Sequence, residues 1–440
     1  MDILVVGSGG REHAICQAFR NSARTGRLYC ANGNAGIAEV AECIPILPDD
    51  IEGLAGFAAL NKIGLTFVGG EAPLARGIVD LFASKGLPIV GPRKQAALLE
   101  SSKSFAKDFM SRHGIPTAHY LTAHTPAFAI DELDSGDFGS EQTPVVVKAD
   151  GLAAGKGVVV AQNRKEAIEA INGLEGLVGT DASQKIVIEE CLFGTEVSML
   201  MFVDGEDFAL MPAVRDHKRL GDGDIGPNTG GMGTFTDIGL ISSSDVEMVI
   251  DRIVKPTLHG CTREGFHFRG VLFLGLMMTT DGPKLLEYNV RFGDPEAQAI
   301  LVRLGTDLVD ICTSILSGSL KGVSIDWRKG SSACVVLASK GYPYDPTKRD
   351  LISGLDLAAS LNEVKVFHGG TAFAGGSEFR DTSAAAGVSP QYITSGGRVL
   401  GVTATGNSLG DAVGKAYSAV EHIHFEGMQF RHDIGKPIAK

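Results

Sequence analysis

Cysteine is scarce in this chain and shows no pairing pattern. The seven residues, Cys16, Cys30, Cys43, Cys191, Cys261, Cys312 and Cys334, are odd in number and include no CxxC pair. That argues against a disulfide framework and a thiolate metal site, and it fits a reducing cytoplasm. Long apolar runs are missing as well. The opening MDILVVGSGG lacks the charged start and small-residue cleavage site of a secretory signal, and its apolar stretch is too short to span a membrane. Nor is there a surplus of positive charge: 40 Lys and Arg against 52 Asp and Glu leave a formal net charge of −12. No nucleic-acid partner is expected, because such binding relies on basic patches. An acidic chain can still hold phosphates if it gathers its Lys and Arg locally.

Glycine, by contrast, is abundant, with 57 in 440 residues, and it clusters in short loops. The length suggests about three domains of roughly 150 residues each. The first apolar strand (Ile3, Leu4, Val5, Val6) runs into a glycine turn and a helix from about Glu12 to Phe19. Further apolar runs at Leu65–Val68 and Pro88–Val90 alternate with helical patterns at Gly53–Leu60 and Leu74–Ala83. Alternation of this kind predicts a parallel, doubly wound sheet. Residues 101–120 read as one helix capped by Ser102, and 124–143 as a polar surface loop. From Pro144 a strand, a glycine loop, a second strand, a helix over 164–173 and a strand over 186–190 predict a small α+β lid. Strands follow over 196–215, then a long glycine-rich loop over 221–233, a helix over 243–260, strands around 270–280 and 284–289, and helix over 296–317. The last unit alternates short strands with loops and ends in a helix, Leu409–Ile423.

Four segments carry chemistry. GSGGREH (Gly7–His13) follows a strand and opens a helix, where backbone N–H groups suit an anion. A dinucleotide fingerprint needs glycine at position 12 and an acid some 20 residues on; Glu12 and Asn32 stand there, so an oxidoreductase is disfavoured, and a plain tight turn stays open. ADGLAAGKGV (Ala149–Val158) is a glycine loop carrying Lys156, with Lys148 on the strand before it. Its amides could close over a triphosphate, although a hairpin with solvated lysines is the simpler alternative. EECLFGTE (Glu189–Glu196) ends a strand where backbone groups could meet a base edge and Glu196 a ribose, although taken alone the segment reads more simply as charged residues at a strand end. In LLEYNVRFGDPE, the residues Glu287, Asn289 and Arg291 recur at period two and share one strand face. Two oxygen donors on one face suit Mg²⁺, and a neighbouring cation can stabilise a transferring phosphoryl group. Arg215–Gly233 has no core pattern; its His217 is open between a catalytic and a hydrogen-bonding role.

Taken in order, GSGGREHA, GNAG, LESSKSFAKDFM, VVVKADGLAAGKGV, DHKR, GPNTGGMG, EYNVRFGDPE and SGGRVLGVTA resemble the phosphoribosylamine–glycine ligase family of the ATP-grasp superfamily along nearly the whole chain. The resemblance implies α/β and α+β units: a Rossmann-like N-terminal domain (1–101), an ATP-grasp domain (102–323, mobile lid about 121–192) and a small C-terminal α+β domain (324–440). It implies ligation of glycine to 5-phosphoribosylamine with ATP through a glycyl phosphate, in purine synthesis. A monomer acting on small molecules in the cytoplasm, with Mg²⁺ or Mn²⁺, is expected. ATP would meet Lys103, Lys148, the loop residues Gly151, Gly155, Lys156 and Gly157, then Glu189, Glu190, Leu192 and Glu196. Glu287 and Asn289 would hold the metal, with Arg291 and Asp294 catalytic. Gly9, Gly10, Glu71, Asp216, Lys218, Asn228, Thr229, Gly230, Gly397 and Arg398 would bind the other substrates. Three places depart from the family pattern: Gly275 where many ATP-grasp enzymes have an acidic metal ligand, VGGEAPL without the usual proline before Glu71, and the unmatched 124–143 segment.

Overall fold

The computed structural model describes all residues except 152–156, 180–182, 376–389 and 437–440. Its first sheet has five parallel strands in the order Glu42–Ile44, Leu28–Asn32, Ile3–Gly7, Leu65–Val68, Ile89–Val90. The continuous apolar run at Ile3–Val6 is explained by burial on both faces, as parallel sheets require. Leu4 and Val6 pack towards Leu54, Ile78 and Phe82, whereas Ile3 and Val5 pack towards Ile15, Phe19 and Ile315. The expected helix Leu74–Ala83 is two helices, Glu71–Arg76 and Ile78–Ser84, broken at Gly77, whose φ is +90°.

The lid is a four-stranded antiparallel sheet, ordered Tyr120–Ala123, Ile186–Glu190, Val145–Ala149, Val158–Ala161. Here the expected surface loop over 124–143 is corrected, because it contains the helix Pro126–Ser135. Thr125 caps it by accepting from Phe128 N–H at 3.1 Å, and Gly136 ends it in a left-handed conformation. Its polar composition hides a short apolar stripe: Ala129 and Leu133, four apart, are fully buried against the sheet, beside helix Arg164–Val178. Likewise the predicted helix over 101–120 is only Lys103–Arg112, capped by Ser102.

A nine-stranded sheet joins the central and C-terminal units. Its path runs Gly282–Asn289, Arg269–Thr279, Thr195–Asp204, Val214–Asp216, Gly233–Thr236, Ser331–Ala338, Arg398–Gly406, Val364–His368. Gly233–Thr236 pairs with Ser331–Ala338, so one hydrogen-bonded ladder crosses the sequence boundary near residue 324. The long loop expected over 221–233 is largely a hairpin, Arg219–Gly221 with Ile225–Asn228. The helix expected over 243–260 has a π-helical turn, Ile250–Val254, before Lys255–Arg263; Pro256 cannot donate to the ladder, and the wider turn absorbs that loss. The helix expected over 296–317 is split into Glu296–Leu301 and Leu308–Ser317, the second capped by Asp307. No helix of the described residues is long and apolar enough to cross a membrane.

The corrected lid helix yields a prediction. Leu133→Ala should cost about 2–5 kcal/mol of local stability, because a fully buried leucine leaves a cavity. Hydrogen exchange over 120–149 should rise while the first sheet is unaffected. Unchanged exchange would mean that this helix does not hold the lid.

Candidate active site

A cleft of about 820 Å³ lies between the lid sheet and the strands Arg269–Thr279 and Gly282–Asn289, and it extends to the N- and C-terminal units. Period two decides which lid residues reach it. Val145, Val147 and Ala149 pack under the helices, so Val146 and Lys148 face the cleft. Val146 forms an apolar slot with Val158, Val160, Leu192, Leu276 and Leu286, beside the end of strand Ile186–Glu190.

Next to this slot the chain holds its lysines with carboxylates. Glu189, 2% exposed, sits between Lys148 Nζ at 2.7 Å and Lys107 Nζ at 2.8 Å. Lys148 also donates to the carbonyl of Leu286 at 3.4 Å, the residue left over where the strand register shifts between Gly275 and Leu276. Lys107 donates to Thr117 Oγ1 at 2.7 Å; burial, with help from Lys148, lowers its pKa to about 8 against the pull of Glu189. The sequence reading missed Lys107, although it lies one helical turn after Lys103 in KSFAKDFM. Lys218 reaches Glu196 at 3.2 Å, so two expected contacts for different substrates meet.

Glu287, Asn289 and Arg291 all face the cleft, while Tyr288 between them is buried with its hydroxyl 2.8 Å from Thr257 Oγ1. Burial opposes the charge on Glu287, yet Lys218, Lys103, Lys148 and Arg291 together hold its carboxyl below the usual range. A Cβ at Gly275 would stand 3.2 Å from Glu287 Cγ, so an acid there would crowd Glu287. Among the described residues no group of three or more His, Cys, Asp or Glu could hold a metal, and Glu287 and Asn289 put one carboxylate and one amide on the cleft wall.

The guanidinium of Arg291 is tied to Glu100 Oε1 at 2.6 Å and Glu71 Oε2 at 3.2 Å. Burial disfavours the charged form of Glu71, but Arg291 and Arg11 prevail and bring its pKa down to about 2. Glu100 also accepts from Val290 N–H at 2.8 Å. Phe292 fixes this strand end, with its ring 6.0 Å from those of Phe67 and Phe202. Beyond it, Asp294 accepts from Gln298 at 2.8 Å and faces Arg398 at 3.6 Å. Arg398 donates at 2.5 Å to the carbonyls of Gly230 and Asp294. Asp216, Lys218, Asn228, Thr229 and Gly230 complete this end. Desolvation within the cleft, with the neighbouring Glu296, pushes the carboxyl of the half-buried Asp216 up.

Three expected contacts do not line the cleft. The N–H of Gly9 is taken by Glu12 Oε2 at 2.6 Å, so the turn does not present it to an anion. Gly9 and Gly10 instead let the helix approach Asp294 and Gln298: a Cβ would come within 3.1 Å of the former from Gly9 and 2.6 Å of the latter from Gly10. Gly397 lies under the Tyr342 ring, where a Cβ would stand 2.4 Å from it. Gly155 and Lys156 lie outside the described residues, whereas Gly151 and Gly157 line the cleft. His217 is buried with Nδ1 3.3 Å from the Gly233 carbonyl; burial and Arg431 lower its pKa to about 4, so it serves as a neutral hydrogen-bonding group. Arg11 and Glu100, both lining the cleft, were not singled out from the sequence, because their partners lie far along the chain.

Comparison with known proteins gives a consistent result. Family models described as phosphoribosylglycinamide synthetase match residues 1–100 (N domain), 101–297 (ATP-grasp domain) and 332–437 (C domain). The chain is 44% identical over 439 residues to a phosphoribosylamine–glycine ligase of Yersinia pestis, covering 99% of this chain and 98% of that one. It is 42% identical over 435 residues to the protein of that name from Caldanaerobacter subterraneus, covering 99% of each. The crystal structure of phosphoribosylamine–glycine ligase from Thermotoga maritima superposes with a TM-score of 0.81 at 34% identity, over 99% of this chain and 100% of that one. A biotin carboxylase of Campylobacter jejuni, at 14% identity and a TM-score of 0.71 over 98% and 92% of the two chains, shares the fold alone.

The lysine–carboxylate group is testable by paired substitution. Lys107→Met should destabilise the protein by about 3–5 kcal/mol, because it strips one partner from a buried carboxylate. Adding Glu189→Gln should recover part of that loss in urea unfolding. Equal losses in the single and double variants would contradict the pairing.

Proposed function

The chain belongs to the phosphoribosylglycinamide synthetase family, an ATP-grasp ligase family, and from that premise we propose that it joins glycine to 5-phosphoribosylamine with ATP. The products are glycinamide ribonucleotide, ADP and phosphate, within de novo purine synthesis. The observation that carries the reading is the layout of the cleft: a lysine-rich nucleotide end and an Arg11–Glu71–Arg398 end meet at the strand end holding Glu287, Asn289, Arg291 and Asp294.

The adenine lies in the apolar slot, its edge read by the Glu190 carbonyl and the Leu192 N–H, with Glu196 at the ribose. Lys103, Lys148 and the glycine loop, including Gly155 and Lys156, face the phosphates, and Glu189 holds Lys148 in place. Glu287 and Asn289 fit Mg²⁺ or Mn²⁺ chemically, being one charged and one neutral oxygen donor on one face. When bound, the ion supplies charge neutralisation at the phosphoryl oxygens.

The chemistry follows from a poor leaving group. A glycine carboxylate oxygen attacks the γ-phosphorus, the bond to the β-bridging oxygen breaks, and ADP leaves. Arg291, held by Glu71 and Glu100, stabilises the charge that gathers on the acyl phosphate. The amine of phosphoribosylamine then attacks the acyl carbon, phosphate departs with the electron pair of the broken C–O bond, and the nitrogen loses its proton. Asp294, Asp216, Lys218 and the Asn228–Gly230 loop position glycine and amine, an arrangement that converts a bimolecular attack into a local one. Glu71, Arg11 and Arg398 surround the phosphoribosyl part. Gly9, Gly10 and Gly397 act here by close packing. The same reading has the chain working as a monomer in the cytoplasm, in keeping with seven free thiols.

ADP release should require glycine and phosphoribosylamine together, which is checked by omitting each in turn; release independent of glycine would sink the assignment. Glu287→Gln should lower turnover at limiting Mg²⁺ by at least about tenfold with little change in Tm. Wild-type turnover under those conditions would place the metal elsewhere.

A further inference from the structure

Arg431 is a guanidinium with a fully buried side chain, and it lies outside the cleft. Its Nε and one terminal nitrogen clasp both oxygens of Asp433 at 2.7 Å each, and the other terminal nitrogen reaches Asp224 Oδ1 at 2.5 Å and the Arg219 carbonyl at 3.2 Å. The neighbours of Arg431 grip the same hairpin. His432 N–H donates to Asp222 Oδ1 at 2.7 Å, and the Gly223 N–H donates to Asp433 Oδ2 at 2.8 Å. Three successive residues near the C-terminus thus hold the turn at 222–224.

That hairpin belongs to the cleft wall. Arg219 and Asp224 line the cleft, and the second strand leads directly into Asn228, Thr229 and Gly230. The loop is then closed by the Thr229 N–H on the Lys218 carbonyl at 2.8 Å and by the Gly230 N–H on Tyr342 Oη at 3.1 Å. The tail is also held from its other side: Tyr417 Oη donates to the Arg431 carbonyl at 2.8 Å and accepts from the Ile434 N–H at 3.1 Å, and Ile434 is fully buried.

Stability alone does not call for this arrangement. A buried ion pair recovers little more than its desolvation cost, and apolar side chains could anchor the tail as well. A fork with fixed donors adds direction: it sets where the hairpin stands. Building on the glycine-ligase reading above, we infer that Arg431, through Asp224 and Asp433, is a positioning residue that holds the 219–230 wall against the glycine and amine end of the cleft.

The experiment uses the full chain and two substitutions, Arg431→Met and Asp433→Asn. Each should raise KM for glycine and for phosphoribosylamine about tenfold, as expected for losing one charge-assisted contact, while KM for ATP stays within about twofold. Arg431→Lys should recover only part of the loss, since it keeps the charge and not the fork. Hydrogen exchange over 219–230 should rise in both variants. Should Arg431→Met fail to fold, Asp433→Asn, whose side chain is 19% exposed, reads the same clamp. A uniform rise of all three constants with a falling Tm, or unchanged glycine and amine constants, would overturn the inference. Absence of glycine-dependent ADP release in the unsubstituted protein would refute the ligase reading instead, and the exchange measurement would still decide whether Arg431 holds the wall.

Discussion

The structure depends on holding cations still inside an acidic chain. With a formal net charge of −12, it cannot rely on a general positive field to attract phosphates. Several of the cations that line the cleft are met by carboxylates, most of them at least half-buried. Glu189 fixes Lys148, Glu196 meets Lys218, Glu71 and Glu100 fix Arg291, and Asp294 meets Arg398. Charges oriented in this way need little rearrangement when charge builds up on a reacting phosphoryl group. Removing one carboxylate would leave a buried cation uncompensated, which is why the pairs behave as units.

The same pairs join the three units. Glu71 lies in the N-terminal unit, Arg291 at the end of a central strand, and Arg398 on a strand of the C-terminal unit. The continuous ladder from Gly282–Asn289 to Val364–His368 gives those residues a common frame. Phe292, packed between Phe67 and Phe202, keeps the strand end from shifting relative to the first sheet. The fold and the electrostatics therefore constrain each other: the sheet and the apolar clusters shared between units set the positions, and the ion pairs fix the charged groups within that frame.

Much of this is legible in the sequence where the signal is local. The strand Ile3–Val6, the lid strand around Lys148 and the period-two face Glu287–Asn289–Arg291 each follow from a few adjacent residues. Ser102 as a cap was readable for the same reason. The glycine turn Gly7–Gly10 was readable as a turn, but the way Glu12 folds back onto the Gly9 N–H was not. Helix Pro126–Ser135 was hidden by its polar residues, since only Ala129 and Leu133 are fully buried there. Lys107, Glu100 and Arg431 could not be assigned, because their meaning lies in partners 82, 190 and 207 positions away. Periodicity does not report pairings at such separations.

The central claim is that glycine is activated as an acyl phosphate between these fixed cations. It is tested most directly with glycine carrying ¹⁸O in both carboxylate oxygens, incubated with ATP, Mg²⁺ and phosphoribosylamine. The account predicts that each turnover sends one labelled oxygen into inorganic phosphate and leaves the other in the amide of the product. Phosphate that forms at the same rate without label would contradict it.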